Sequence, residues 1–298
     1  MPRFSAEEVV RAGYQAILAR EPDAAGLASQ AGSALRGPTA LAQVLRAMLD
    51  TPEAVAVNRP LLLSALGRVE TSIVSLGTHC FTSEFLKRQG LRAWAGPFDW
   101  VFSTIPMVAH CIRDDFASFL DRSQYRPVPV EHRRHGADVN RVDHAYYLEH
   151  FGVQRVFNHH DVHEDADYAY ITRCVERFRG ALRGTRPALF VCTVAARAHT
   201  LAQVQALADA VHDAGGGRHR VLAVLVDDAA TGRLAPQVGV VHDDARLLAL
   251  RFESMSAWQP LEFEDPLDEL VLAKVLRDAA RALTRSTPQP PRGGAPAF

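Results

Sequence analysis

Thr71-Ser72-Ile73-Val74-Ser75-Leu76-Gly77-Thr78-His79-Cys80-Phe81-Thr82-Ser83-Glu84-Phe85-Leu86-Lys87-Arg88-Gln89-Gly90 is the stretch on which the reading of the fold turns. Its first six residues are rich in β-branched and apolar types and stop at Gly77, the pattern of a short strand. From Phe81 to Gln89 the spacing predicts a helix that Gly90 closes. Strand, glycine turn and helix in succession open an α/β layer. Farther along, residues 153–157, 189–194 and 221–226 read as buried strands, and helices at about 166–183, 199–213 and 266–284 alternate with them. Another helix is expected over 106–120, with Ser103 or Thr104 as cap, whereas residues 122–150 lack periodicity and read mostly as loop. Strands alternating with helices predict an α/β layered domain, a mostly parallel sheet with flanking helices.

Upstream the character differs. Val9, Val10, Tyr14, Ile17 and Leu18 recur at helical spacing, and Pro22-Asp23, Gly37-Pro38-Thr39 and Thr51-Pro52-Glu53 punctuate short helices. We expect three regions: a small all-α domain at 1–57, an α/β domain at 70–285 after a linker at Asn58-Arg59-Pro60, and a disordered tail at 286–298. The 298 residues are 48% hydrophobic and 22% charged, which excludes wholesale disorder. With 33 Lys+Arg against 34 Asp+Glu, no net field recruits nucleic acid or an anionic membrane. The opening residues turn acidic at Glu7 and Glu8 before any apolar run, and the longest apolar runs are too short to span a bilayer. Four cysteines at irregular spacing show no zinc or disulfide framework, so a reducing cytoplasm is the expected location.

Three segments could carry chemistry. Cys80 stands at a helix start, where unpaired N–H groups and the positive end of the dipole favour thiolate, the nucleophilic form. The amides of Phe81 and its neighbours are then the expected oxyanion donors. The plainer reading makes Cys80 a small buried hydrophobe, as Cys111, Cys174 and Cys192 are expected to be. In Asn158-His159-His160-Asp161-Val162-His163-Glu164-Asp165, a neutral imidazole could take the thiol proton while a carboxylate fixes its tautomer. Polar surface loop is the alternative there. Metal ligation by His159 with His163, or His160 with Asp165, is a third reading. Last, Gly96-Pro97-Phe98-Asp99-Trp100 places one acid between two large aromatic anchors. Asp99 could orient a histidine, or simply cap a helix or bind nearby backbone. His79 and Trp100 are the candidate substrate contacts.

Ser75-Leu76-Gly77-Thr78-His79-Cys80, Gly96-Pro97-Phe98-Asp99-Trp100, Asp115-Phe116-Ala117-Ser118-Phe119-Leu120 and Phe157-Asn158-His159-His160-Asp161 together resemble a bacterial family described as putative papain-like cysteine peptidases. Arg177-Phe178 before the strand at 189–194 fits the same likeness, which covers about residues 70–230. It implies Cys80 as nucleophile and His159 or His160 as its base. Asp99 lies before the histidines, whereas a papain-like acid follows its histidine, which makes Asp161 and Asp165 its rivals for the third role. Separately, Tyr14 to Leu27, with its Arg20-Glu21-Pro22-Asp23-x-x-Gly26 core, and Met48-Leu49-Asp50-Thr51-Pro52-Glu53 resemble the phycobilisome-linker-like domain of unknown function over about residues 4–56. That likeness implies docking to a protein partner.

The expected activity is a cysteine-dependent hydrolase or acyltransferase acting through a thioester, with a peptide, acyl or glycan-linked substrate and no cofactor. The alternative is a glycan-associated transferase or sugar-binding protein without a catalytic cysteine, with Trp100 stacking on the sugar. No nucleic acid and no membrane span are expected.

Overall fold

The computed structural model describes residues 5–49, 51, 53–54, 71–133, 138–139, 141–228 and 235–286. The expected linker at Asn58-Arg59-Pro60 and the tail beyond Ser286 lie outside them. Two compact units divide the chain, Met1–Arg68 and Val69–Phe298.

In the first unit, α1 (Ala6–Gly13) starts at a reciprocal cap in which Ser5 and Glu8 bond each other's backbone. A π-helical turn, Tyr14–Leu18, follows and ends at left-handed Ala19. Helices α2 (Ala24–Ala34) and α3 (Pro38–Leu49) follow, and Val10, Tyr14, Leu18 and Met48 are buried among the described residues of this unit. The Arg-Glu-Pro-Asp string acts as a staple here. Arg20 pairs with Glu53 at 2.5 Å and lies over the Tyr14 ring, Glu21 takes Arg11 at 2.7 Å, and Asp23 caps α2 by accepting from the Gly26 amide at 2.8 Å.

The second unit is built on a five-stranded sheet. β1 (Ser72–Ser75), β4 (Ala188–Ala195), β5 (Arg220–Asp227) and β7 (Leu247–Glu253) run parallel in that order, and β6 (Gln237–Asp243) adds an antiparallel edge beside β7. β4 and β5 are buried on both faces, which is why they read as unbroken apolar runs. Phe190, Cys192 and Val194 of β4 join a cluster with helices α5 (Ile105–Arg113), α7 (Asp165–Arg183) and α8 (Leu201–Ala214). The alternate residues of β4 face the other layer, formed by α4 (Cys80–Arg88) and α9 (Pro266–Ser286). The expected α/β domain with a mostly parallel sheet, preceded by helices, is therefore present. Among the described residues no helix is long and apolar enough to cross a membrane.

Local departures have local causes. The helix expected over 106–120 is α5, capped by Thr104, and it stops at Arg113 because Asp115 and Phe116 adopt positive φ of 50° and 60°. The strand expected at 153–157 is reduced to isolated bridges at Phe157, since left-handed Arg155 breaks the extended run and donates its amide to Asp143. Residues 122–150 carry more structure than a loop: a small ladder of β2 (Tyr125–Pro127) with β3 (Val142–His144), then α6 (Ala145–Phe151).

His144 caps α6. Its Nδ1 accepts from the Tyr147 amide at 3.4 Å and its Nε2 meets the Ser118 carbonyl at 3.0 Å, so the ring is neutral with the proton on Nε2. Burial pushes its pKa down to about 4. The neutral form therefore stabilises the fold above about pH 6.5, and this contribution is lost as pH falls through the window down to about 4. We predict that His144→Asn, whose side chain still caps, flattens the fall in unfolding free energy over that window. An unchanged slope in urea titrations would contradict it.

A second prediction concerns Gly77, whose φ is +68° and whose missing Cβ would lie 2.4 Å from the Phe98 carbonyl oxygen. Gly77→Ala should cost about 2–4 kcal/mol from strain and collision combined. A loss below about 0.5 kcal/mol, the range of neutral surface changes, is incompatible with that close approach.

Candidate active site

β1 ends in a turn that few sequences tolerate. Gly77 and Thr78 both have positive φ, 68° and 95°, and a β-branched residue at such an angle is strained. The turn is held from outside: Thr78 Oγ1 donates to the Thr193 carbonyl at 3.3 Å and the Thr78 carbonyl accepts from the Ser103 amide at 3.1 Å. Extended His79 then caps α4, and Cys80 is the first residue of that helix.

Two further segments meet this turn. Gly77 touches the backbone of Phe98, the Phe102 amide bonds the Val156 carbonyl at 3.0 Å, and Val101 bridges Phe157. The Cys80 turn, the Gly96–Trp100 stretch and the histidine loop therefore converge at the C-terminal end of β1, where open α/β sheets carry their ligand sites.

Asp99 is 1% exposed. Its Oδ2 accepts from the Gly96 amide at 2.8 Å and from Arg92 Nη1 at 3.0 Å, and the Ser83 and Ser75 hydroxyls lie close enough to lower its pKa. Burial raises its pKa, opposed by the Gly96 amide and by Arg92. Arg92 also donates to Ser83 Oγ at 2.6 Å and lies over the Trp100 ring at 5.9 Å. Backbone binding by Asp99, the plainer of its two sequence readings, is thus part of what it does.

Cys80 is 8% exposed, and burial pushes its thiol up. Its own backbone amide pulls the other way, as a helix start should, but the charges of Asp99 and Glu84 add to the rise. The balance favours the thiol over the thiolate. No hydrogen bond joins Cys80 Sγ to His159 or His160 among the described residues. His79 accepts the Phe81 amide on Nδ1 at 3.3 Å, so that amide, an expected oxyanion donor, is already engaged. Burial drives the His79 pKa down to about 4 and keeps the ring neutral.

The two adjacent histidines have different settings. His159 is exposed, bonds Asn158 Nδ2 at 2.9 Å and meets the Trp100 ring edge-on at 5.9 Å. His160 is half-buried, packs on Tyr170 at 4.7 Å and points Nδ1 at Asp167 Oδ1, 3.4 Å away. Asp167 also takes the Asp161 amide on Oδ2 at 2.6 Å, so it fixes the loop as well as the ring. Asp167 was not foreseen; its only signal was an acid in the first turn of the helix after the histidines. Asp161 instead faces Arg141 at 3.6 Å, and Asp165 pairs with Arg122 at 2.8 Å. Among the described residues no three His, Cys, Asp or Glu side chains gather as a metal site would require.

The charge of Asp99 yields a prediction. Asp99→Asn keeps an oxygen for Gly96 and Arg92 but removes the anion that disfavours the Cys80 thiolate. Iodoacetamide alkylation of Cys80 at pH 8, read by peptide mass spectrometry, should speed up about two- to tenfold, the scale of a nearby charge. A slower or equal rate would show that the carboxylate does not act on the thiol.

No curated protein and no solved structure matches the chain. Residues 71–228, just over half of the 298, match a known family. The match starts at β1, takes in all three converging segments and ends just after β5. The chain belongs to the family described as Putative papain-like cysteine peptidase (DUF1796).

Proposed function

We propose that the protein is a cysteine-dependent acyl hydrolase or acyltransferase with Cys80 as nucleophile. The observation that carries this reading is the position of Cys80: first residue of α4, one residue beyond the strained Gly77-Thr78 turn that follows β1. A nucleophile raised on a tight strand-to-helix turn faces the ligand edge of the sheet. His160 is the better supported base, because Asp167 holds its Nδ1 and leaves Nε2 to take a proton. His159 is already bonded to Asn158 through Nε2.

In this scheme substrate binding brings sulfur and imidazole together. The Cys80 proton passes to His160 Nε2 as Sγ attacks the acyl carbonyl and forms the C–S bond. The leaving group departs with that proton; water or another acceptor then gives its own proton to His160 Nε2 as it attacks the thioester, and this second proton passes to sulfur as the C–S bond breaks. Asp99 acts through Arg92 and Ser83 by fixing the start of α4. Asp161 contributes by shaping the loop through its amide bond to Asp167. A sugar-stacking role for Trp100 has less room, since Arg92 covers its ring and His159 abuts it.

The helical unit is proposed to dock a protein partner, in keeping with its phycobilisome-linker-like sequence. A cytoplasmic setting suits four free, buried thiols.

The deciding experiment is covalent labelling by a peptidyl electrophile. Cys80→Ala should abolish labelling while Cys174→Ala leaves it intact. His160→Ala should slow it by about 100-fold or more, the contribution of a general base, with His159→Ala much milder. Labelling of Cys80→Ala at the wild-type rate would overturn the assignment.

A further inference from the structure

The segment after β7 returns to Cys80. Trp258 lies 4.8 Å from the His79 ring and 5.3 Å from Phe81, so it packs on both sequence neighbours of the thiol. It belongs to a tight hairpin: Trp258 bridges Phe263, the Gln259 amide bonds the Glu262 carbonyl at 2.8 Å, and the Glu264 amide bonds the Ala257 carbonyl at 3.1 Å. Phe263 anchors the hairpin inward against Phe81 at 5.2 Å and Phe252 at 5.5 Å. The base is clamped by Asp268, 0% exposed, whose carboxylate takes the Met255 amide at 3.0 Å, the Ser256 amide at 3.1 Å and the Ser256 hydroxyl at 2.6 Å.

Outward, the same hairpin shows apolar surface. Trp258 and His79 are partly exposed, Pro260 is exposed and Leu261 is 47% exposed. The indole Nε1 is buried and donates to no group among the described residues. A rigid, clamped element with an aromatic face beside a nucleophile is the arrangement of a side-chain pocket.

We propose that the 257–264 hairpin is the specificity wall of the site, with Trp258 and Leu261 receiving a bulky apolar side chain next to the carbonyl that Cys80 attacks. This rests on the reading of Cys80 as nucleophile. The substrate class it selects is an acyl donor carrying an aromatic or branched aliphatic group, as opposed to a small or charged one.

The test uses the full chain and four peptidyl acyloxymethyl ketones that differ only in the residue beside the warhead: Phe, Leu, Gly or Asp. Labelling at Cys80 should favour Phe and Leu over Gly and Asp by about tenfold or more, the discrimination an apolar pocket supplies. Trp258→Ala should collapse that preference to within about threefold. Leu261→Asp, at an exposed position that the fold does not need, should weaken Phe and Leu labelling without unfolding the chain. Cys80-dependent labelling with no apolar preference, or a preference that survives in both variants, overturns the wall and leaves the nucleophile standing. Labelling that is indifferent to Cys80→Ala overturns the nucleophile itself.

Discussion

Burying the Asp99 carboxylate is the constraint around which this site is arranged. Removing such a charge from water costs several kcal/mol unless partners replace its hydration. Arg92 and the Gly96 amide are those partners, both on Oδ2. Arg92 is itself tied down: its backbone bridges Ile73 on the free edge of β1, and its guanidinium reaches Ser83 on the first turns of α4. One ion pair thus fastens the 92–100 segment to the strand before the thiol and to the helix after it. Phe98, buried among Phe116, Phe119 and Phe178, locks the same segment into the main core. Local electrostatics and core packing fix one loop from opposite sides.

The same charge has a chemical consequence at Cys80. The start of a helix and the residue's own amide favour thiolate, yet burial, Asp99 and Glu84 outweigh them. Burial raises the Cys174 thiol and takes Tyr170 to about 12, and the charge of Asp99 adds to both. On the proposed reading, a Cys80 held toward the thiol form is poorly reactive toward oxidants and stray electrophiles, since the thiolate is the reactive form. In the proposed scheme, activation comes from a base meeting the sulfur as substrate binds.

Local chemistry made much of this legible. The unbroken apolar runs of β4 and β5 and the stops at Gly77 and Gly90 announced the sheet and α4, and Thr104 announced α5. Legibility failed where a distant partner decides. Val153–Phe157 has the composition of a strand, but Asp143 captures the Arg155 amide and the backbone turns left-handed. β6 and β7 were passed over although Val238–Val241 and Leu247–Leu250 carry strand residues; the exposed faces of β6 blurred its alternation. In the site, Cys80, Asp99 and the two histidines stood out as unusual strings. Asp167 did not, because sequence proximity drew attention to Asp161 and Asp165, which face arginines. Trp258 was invisible as a neighbour of His79, since only the fold joins residues so far apart.

Topology explains why that distant residue is available. β1, β4, β5 and β7 are parallel, so the loops leaving their C-terminal ends share one edge of the sheet. β1 is an outer strand, which leaves the thiol with sheet on one side only. The 92–100 segment closes the open side through Arg92, and the exit loop of β7 reaches across to pack Trp258 on His79. The family match ends at residue 228, before β7 begins. Cys80, Asp99 and the two histidines therefore lie in the matched span, while Trp258 lies in chain beyond it. On the proposed reading, a site so divided would change which side chain it accepts by altering one hairpin, without disturbing the Arg92–Asp99 ion pair that fixes the start of α4.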